Sequence, residues 1–154
     1  MISFLWSRKI SPLLICAVVA VACNDGGSRK NVGAPPFGTI RFSMEGDVTG
    51  DQDFVALIDD VRLTELAIAE TQLPFAERTL FPIGPIDRGN GEGGHNMNWS
   101  WHFLRDEWNL TEIADPACDG NAVIVEQAVD YWVDTVGQFC PAGARVVSVT
   151  ITQL

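Results

Sequence analysis

Residues 39–44 alternate strictly: Ile40, Phe42 and Met44 are separated by Thr39, Arg41 and Ser43, the two-residue period of a half-buried strand. Turn-forming residues from Glu45 to Gln52 follow, and Asp53–Ile58 (DFVALI) predicts a second strand pairing with the first as a hairpin. Asp59 and Asp60 then offer N-caps for a helix that carries Leu63, Leu66 and Ala67 on one face and ends before Pro74. A short strand is predicted around Leu80–Ile86, then a loop over 87–98 containing four glycines. Trp99–Leu104 and Asn109–Ile113 predict two further strands. The strongest helical period comes later. Val125, Ala128, Val129, Trp132, Val133 and Val136 share one face, Glu126, Asp130 and Asp134 line the other, and Gly137 sits just past the end. Val146–Ile151 predicts a last strand. Strand pairs mixed with two helices, without a regular β-α-β rhythm, give an α+β domain built on a small, mostly antiparallel sheet.

The first 22 residues follow a different logic. Arg8 and Lys9 precede an apolar run from Ile10 to Ala22 in which only Ser11 and Pro12 are not apolar. Thirteen positions fall short of the about 20 needed to span a bilayer. A basic start, a short apolar middle and small residues at the end make residues 1–22 a secretory signal peptide. Ala20-Val21-Ala22-Cys23 resembles the lipobox of bacterial lipoproteins, although Ala20 stands where Leu is usual. Fatty acylation (palmitate) of Cys23 would anchor the chain; ordinary cleavage would leave Cys23 a plain residue. Residues 24–36 (NDGGSRKNVGAPP) complete a flexible tether over 23–37, and the folded domain occupies 38–154.

Cysteine parity favours the lipid. Of Cys16, Cys23, Cys118 and Cys140, the first leaves with the signal peptide. Acylation of Cys23 then leaves an even pair, as an oxidising compartment prefers. Cys118 and Cys140 are expected to form one disulfide, because neither belongs to a C-x-x-C or has a neighbouring His for metal binding.

Composition narrows the partners. The chain has formal charge −10, and the domain beyond the tether, with six arginines, no lysine and 19 Asp and Glu, is near −13. So acidic a surface is a poor partner for nucleic acid, whose phosphates require Lys and Arg. No cofactor is implied.

Six short strings, in order, carry a resemblance: Thr39–Met44, Phe54–Asp60, Ile83-Gly84-Pro85-Ile86, Trp99-Ser100-Trp101-His102, Ala117-Cys118-Asp119-Gly120 and Gln138-Phe139-Cys140-Pro141. Over Gly38–Val149 the chain resembles the N-terminal domain of a family of calmodulin-binding proteins, a domain that also looks widespread as a stand-alone secreted or lipid-anchored bacterial module. It departs from that pattern after Cys140, where Ala142-Gly143-Ala144 replace the usual Trp and Ser. The resemblance implies a shared fold and an extracytoplasmic address, and no catalytic residues. Calmodulin is itself acidic and takes basic amphipathic helices, so like charges argue against calmodulin binding.

Candidate chemistry concentrates in 95–108. Exposed indoles of Trp99, Trp101 and Trp108, with His102, would make a stacking platform for a small ligand beside the Gly-rich loop. The competing reading makes Trp99, Trp101 and Phe103 the core face of a strand. His95 or His102 with Asp106 or Glu107 supplies an alternative, an extracytoplasmic hydrolase; no spacing here matches a zinc pattern. Asp47–Asp53 superficially suggests a calcium loop, but Gln52 and Ile58 stand where Gly and Glu are required, so an acidic hairpin turn is expected. The leading expectation is an envelope-anchored, non-enzymatic binding module whose partners are the membrane, through its lipid, and an unidentified protein or small ligand.

Overall fold

The computed structural model describes residues 38–152. The signal peptide, Cys23 and the tether lie outside the described residues. Strand β1 (Gly38–Met44) pairs antiparallel with β2 (Phe54–Ile58), Phe42 opposite Phe54 and Gly38 opposite Ile58, as the alternating pattern requires. The last described strand, β7 (Ala144–Ile151), joins the other edge of β1, giving the order β2-β1-β7 with a bulge at Arg41/Phe42. Ile40, Phe42, Phe54, Ala56 and Ile58 put one face of this sheet into the core.

Helix α1 (Val61–Thr71) begins where the sequence says, with the Asp60 carboxylate accepting from Leu63 N–H at 2.9 Å. It packs against β7, burying Leu63 and Ala67. It also buries Glu70, a residue its amphipathic pattern leaves outside. The Glu70 carboxylate accepts from the backbone N–H groups of Thr79 and Leu80, at 3.0 and 3.2 Å, and so ties the helix end to the next strand.

The single strand expected over 80–86 is two. β3 (Phe81–Ile83) pairs with β6 (Asn109–Thr111), and β4 (Ile86–Arg88) pairs with β5 (Trp101–Phe103), both antiparallel. Pro85 has no N–H to extend a ladder, and Gly84 turns instead to Phe139, donating at 3.1 Å and accepting at 2.8 Å. A side chain at Gly84 has no room: a Cβ there would lie 2.5 Å from that of Trp108. Among the described residues the architecture is therefore α+β with antiparallel pairing, but divided among three small sheets.

The long second helix is also interrupted. α2 (Ala122–Gln127) stops at Ala128, whose φ of −149° is not helical. α3 (Val129–Tyr131) follows and widens into a π turn over Trp132–Val136, closed by Gly137 at φ 78°. A segment this rich in β-branched residues has modest intrinsic helicity, so tertiary contacts set its course. Trp132 stays buried, its ring 5.6 Å from Phe139. Cys118, before α2, is bonded to Cys140, before β7, across 5.2 Å between Cα atoms. Both cysteines are buried. Among the described residues no helix is long and apolar enough to cross a membrane.

Candidate functional site

The segment 95–108 is structural to a degree that its composition hides. Trp99, Trp101 and Trp108 are 8, 0 and 6% exposed, so they present no face for a ligand to stack on. Trp101 lies at the centre of the core, its ring 5.2–6.1 Å from those of Phe139, Phe54, Trp99 and Phe103. The other two close an open sheet edge. Among the described strands β2 is bonded to β1 alone, and its outward backbone groups need partners. Trp99 Nε1 donates to the Asp53 carbonyl at 2.7 Å, and Trp108 Nε1 donates to that of Leu57 at 2.8 Å. Between them the Asn96 side chain accepts from Val55 N–H at 3.0 Å, while its amide donates to the Trp101 carbonyl at 2.8 Å. The tryptophan platform is thus corrected to a set of edge caps around a buried indole. No alternation pattern reveals this, because a cap and a core residue look the same in sequence.

The two histidines do come together, with ring centroids 5.9 Å apart and planes near perpendicular. Each Nδ1 bonds a loop carbonyl, His95 to Glu92 at 3.1 Å and His102 to Gly89 at 3.0 Å. A carbonyl only accepts, so Nδ1 carries the proton when the ring is neutral. Burial holds the His95 imidazolium below its ordinary range, against the opposing pull of the Glu92 carbonyl. Asp106 belongs to a different group. Asp59 and Asp106 converge on Arg105 Nε, at 3.4 and 3.9 Å, and Arg105 reaches Glu92 with its NH1 group at 3.2 Å. Among the described residues no three His, Cys, Asp or Glu side chains converge as metal ligands.

The facing Asp59 carboxyl, hydrogen-bonded to Asp106, pushes the Asp106 pKa up to about 6, and partial desolvation adds to this. Asp106 also holds a left-handed φ of 65°, a conformation that Asn accepts well. Between the ordinary carboxyl range and pH 6 the folded state binds more protons than the unfolded chain, so this pair makes stability fall as pH rises through that window. Asp106→Asn keeps the backbone and removes the repulsion. It is expected to raise the melting temperature at about pH 7 and to leave it near wild type at about pH 4. An equal shift at both pH values in thermal melts would refute the pairing. Asp59 and Asp106 also wall a cleft of about 300 Å³ under the start of α1, with Arg62 and Trp108.

The acidic turn after β1 is self-contained. Asp47 accepts from the N–H groups of Gln52, Thr49 and Gly50 and from the Thr49 hydroxyl, at 2.7–3.1 Å. The Gln52 N–H contributes most to holding this carboxyl below its usual range. The acidic stripe of α2 and α3 is likewise committed. Glu126 accepts from Ser100 N–H and Oγ, at 2.8 and 2.9 Å, and Asp130 and Asp134 clasp Arg88 at 2.7 and 2.6 Å.

A second cleft, of about 430 Å³, opens between this turn and the Gly-rich loop; Arg41, Asp53, His95, Asn96 and Met97 are among its walls. Asp53 is 9% exposed and binds Arg41 Nε through Oδ2 at 2.7 Å. Its Oδ1 and the Nε2 of His95 are both buried without a hydrogen-bond partner among the described residues. His95 lines this cleft, as does Asp53 from the end of the calcium-loop-like string; Arg41 carried no sequence signal beyond strand polarity.

No curated protein and no solved structure matches the chain. Residues 39–153 match the sequence profile of the BP-74 N-terminal domain. That match runs from the second residue of β1 past the end of β7, and the chain belongs to the family defined by that N-terminal domain.

Proposed function

We propose that this chain is an exported bacterial lipoprotein, anchored through a fatty-acylated Cys23, that holds its α+β domain outside the cytoplasm as a non-enzymatic binding module. The observation that carries the reading is the buried Cys118–Cys140 disulfide. Such bonds persist in oxidising compartments. With those two thiols joined and Cys16 in the leader, Cys23 is the cysteine left over, and the lipobox-like string ends on it. The alternative hydrolase reading loses support, since Asp106 is grouped with Asp59 and Arg105 while the histidines meet each other and loop carbonyls. The domain's charge near −13 makes nucleic acid and calmodulin unsuitable partners.

The test is metabolic labelling of the expressed chain with a radioactive fatty acid, followed by fractionation. Wild-type protein is expected to carry label and sediment with membranes. Cys23→Ser is expected to lose both, while its disulfide stays intact. Label that survives Cys23→Ser, or a wild-type chain without label, overturns the anchor.

A further inference from the structure

The second cleft holds two features that the fold itself does not use. Buried polar atoms are nearly always paired, so each unpaired one asks for a partner. Asp53 Oδ1 and His95 Nε2 are two such atoms on residues lining a single cleft, and both are acceptors. For Asp53 this follows from its ion pair with Arg41. For His95 it follows from the Nδ1 bond to the Glu92 carbonyl, which fixes the ring proton on Nδ1 and leaves a lone pair on Nε2.

The walls carrying these atoms are held firmly. Trp99 Nε1 pins the Asp53 carbonyl, and Asn96, next to His95, uses both ends of its amide on Val55 and Trp101. What covers His95 is backbone: its ring packs directly against Gly91, and Gly91, Gly93 and Gly94 all adopt positive φ. Binding through Nε2 requires the Gly91–Gly94 turn to move away from the His95 ring. Met97, 79% exposed, and Val55 give the cleft an apolar side.

Charge selects the ligand class. Arg41 and Asp53 cancel, and a neutral His95 adds nothing. A free anion meets an unpaired carboxylate oxygen inside a domain near −13; a free cation meets the Arg41 guanidinium, whose side chain is half exposed. A neutral ligand with several hydroxyls suits both: it donates to Oδ1 and Nε2 and accepts from Arg41, with its C–H face on Met97. The volume of about 430 Å³ lies within the ordinary range of small-molecule sites. We propose that the cleft between the Asp47–Gln52 turn and the Gly94–Asn98 loop binds a neutral sugar ring whose hydroxyls donate to Asp53 Oδ1 and His95 Nε2. This rests on the binding-module reading and gives it a site and a ligand class.

The experiment is an NMR titration of the full chain carrying Cys23→Ser, with glucose, galactose and N-acetylglucosamine, and with butylamine as the cationic probe. Saturable shifts of the Gly50, Val55 and Gly94–Asn98 amides are expected with at least one sugar, with a Kd on the order of 1 mM. His95→Ala and Asp53→Asn are each expected to weaken binding about tenfold, the loss of one hydrogen bond to a buried group. Glu65→Ala, on the exposed face of α1 and outside the cleft lining, is expected to leave it unchanged. Amide spectra of each variant establish that it is folded; should Asp53→Asn unfold, His95→Ala decides alone. No saturable shift with any sugar overturns the proposal. Shifts that survive His95→Ala, or butylamine in place of sugars, overturn it equally. A fatty-acid-labelled chain that ignores sugars disproves the ligand class alone, whereas an unlabelled chain that binds them disproves the anchor alone.

Discussion

Replacing Trp101 by alanine is expected to cost about 3–5 kcal/mol, a large part of the about 5–15 kcal/mol that a domain of this size has in total. The ring is fully buried and touches Phe54, Trp99, Phe103 and Phe139, which belong to β2, β5 and its lead-in, and the segment leading into β7. A cavity there cannot collapse without moving three separate elements. The control is Trp101→Phe. Trp101 Nε1 has no acceptor among the described residues, so phenylalanine gives up ring volume and no hydrogen bond. It is expected to cost markedly less than alanine. The same change at Trp99 or Trp108 orphans a backbone carbonyl on the β2 edge. Urea denaturation read by near-UV circular dichroism checks the order. An alanine variant within about 1 kcal/mol of wild type would show that Trp101 is not the keystone described, since that is the usual size of an ordinary substitution.

Reducing the Cys118–Cys140 bond is expected to cost about 3 kcal/mol, the loop-closure term for a span of 22 residues. The bond joins the turn before α2 to the lead-in of β7, and the Cys140 N–H also donates to the Cys118 carbonyl at 2.9 Å. Opening it frees β7, whose pairing with β1 holds the main sheet together. The expected result is a lower urea midpoint in the presence of reductant with a steeper slope, because the reduced unfolded chain is less compact. Identical midpoints for oxidised and reduced protein would mean that the disulfide does not stabilise the fold. The two perturbations meet at Phe139, which neighbours Cys140 and touches Trp101, so their costs are not expected to add.

Features whose physics lies within a few residues were legible in the chain. The β1–β2 hairpin follows from alternation and an acidic turn, the Asp60 cap from its place before an apolar stripe, and the Gly137 stop from a left-handed φ that favours glycine. The disulfide followed from counting cysteines. Tertiary structure alone decided what the conspicuous side chains do. Trp108 and Trp99 cap backbone groups 51 and 46 positions away, and Arg88 is clasped by an aspartate 42 positions on. The same distance separates the residues of the candidate site. Asp53 and His95 stand 42 positions apart, and neither signals the other, because an unpaired acceptor is defined by what the fold fails to place beside it. Sequence pattern reports which face of an element is buried; the open edge of β2 has no signature until β1 occupies its other side, and only then do two tryptophans and an asparagine become its caps.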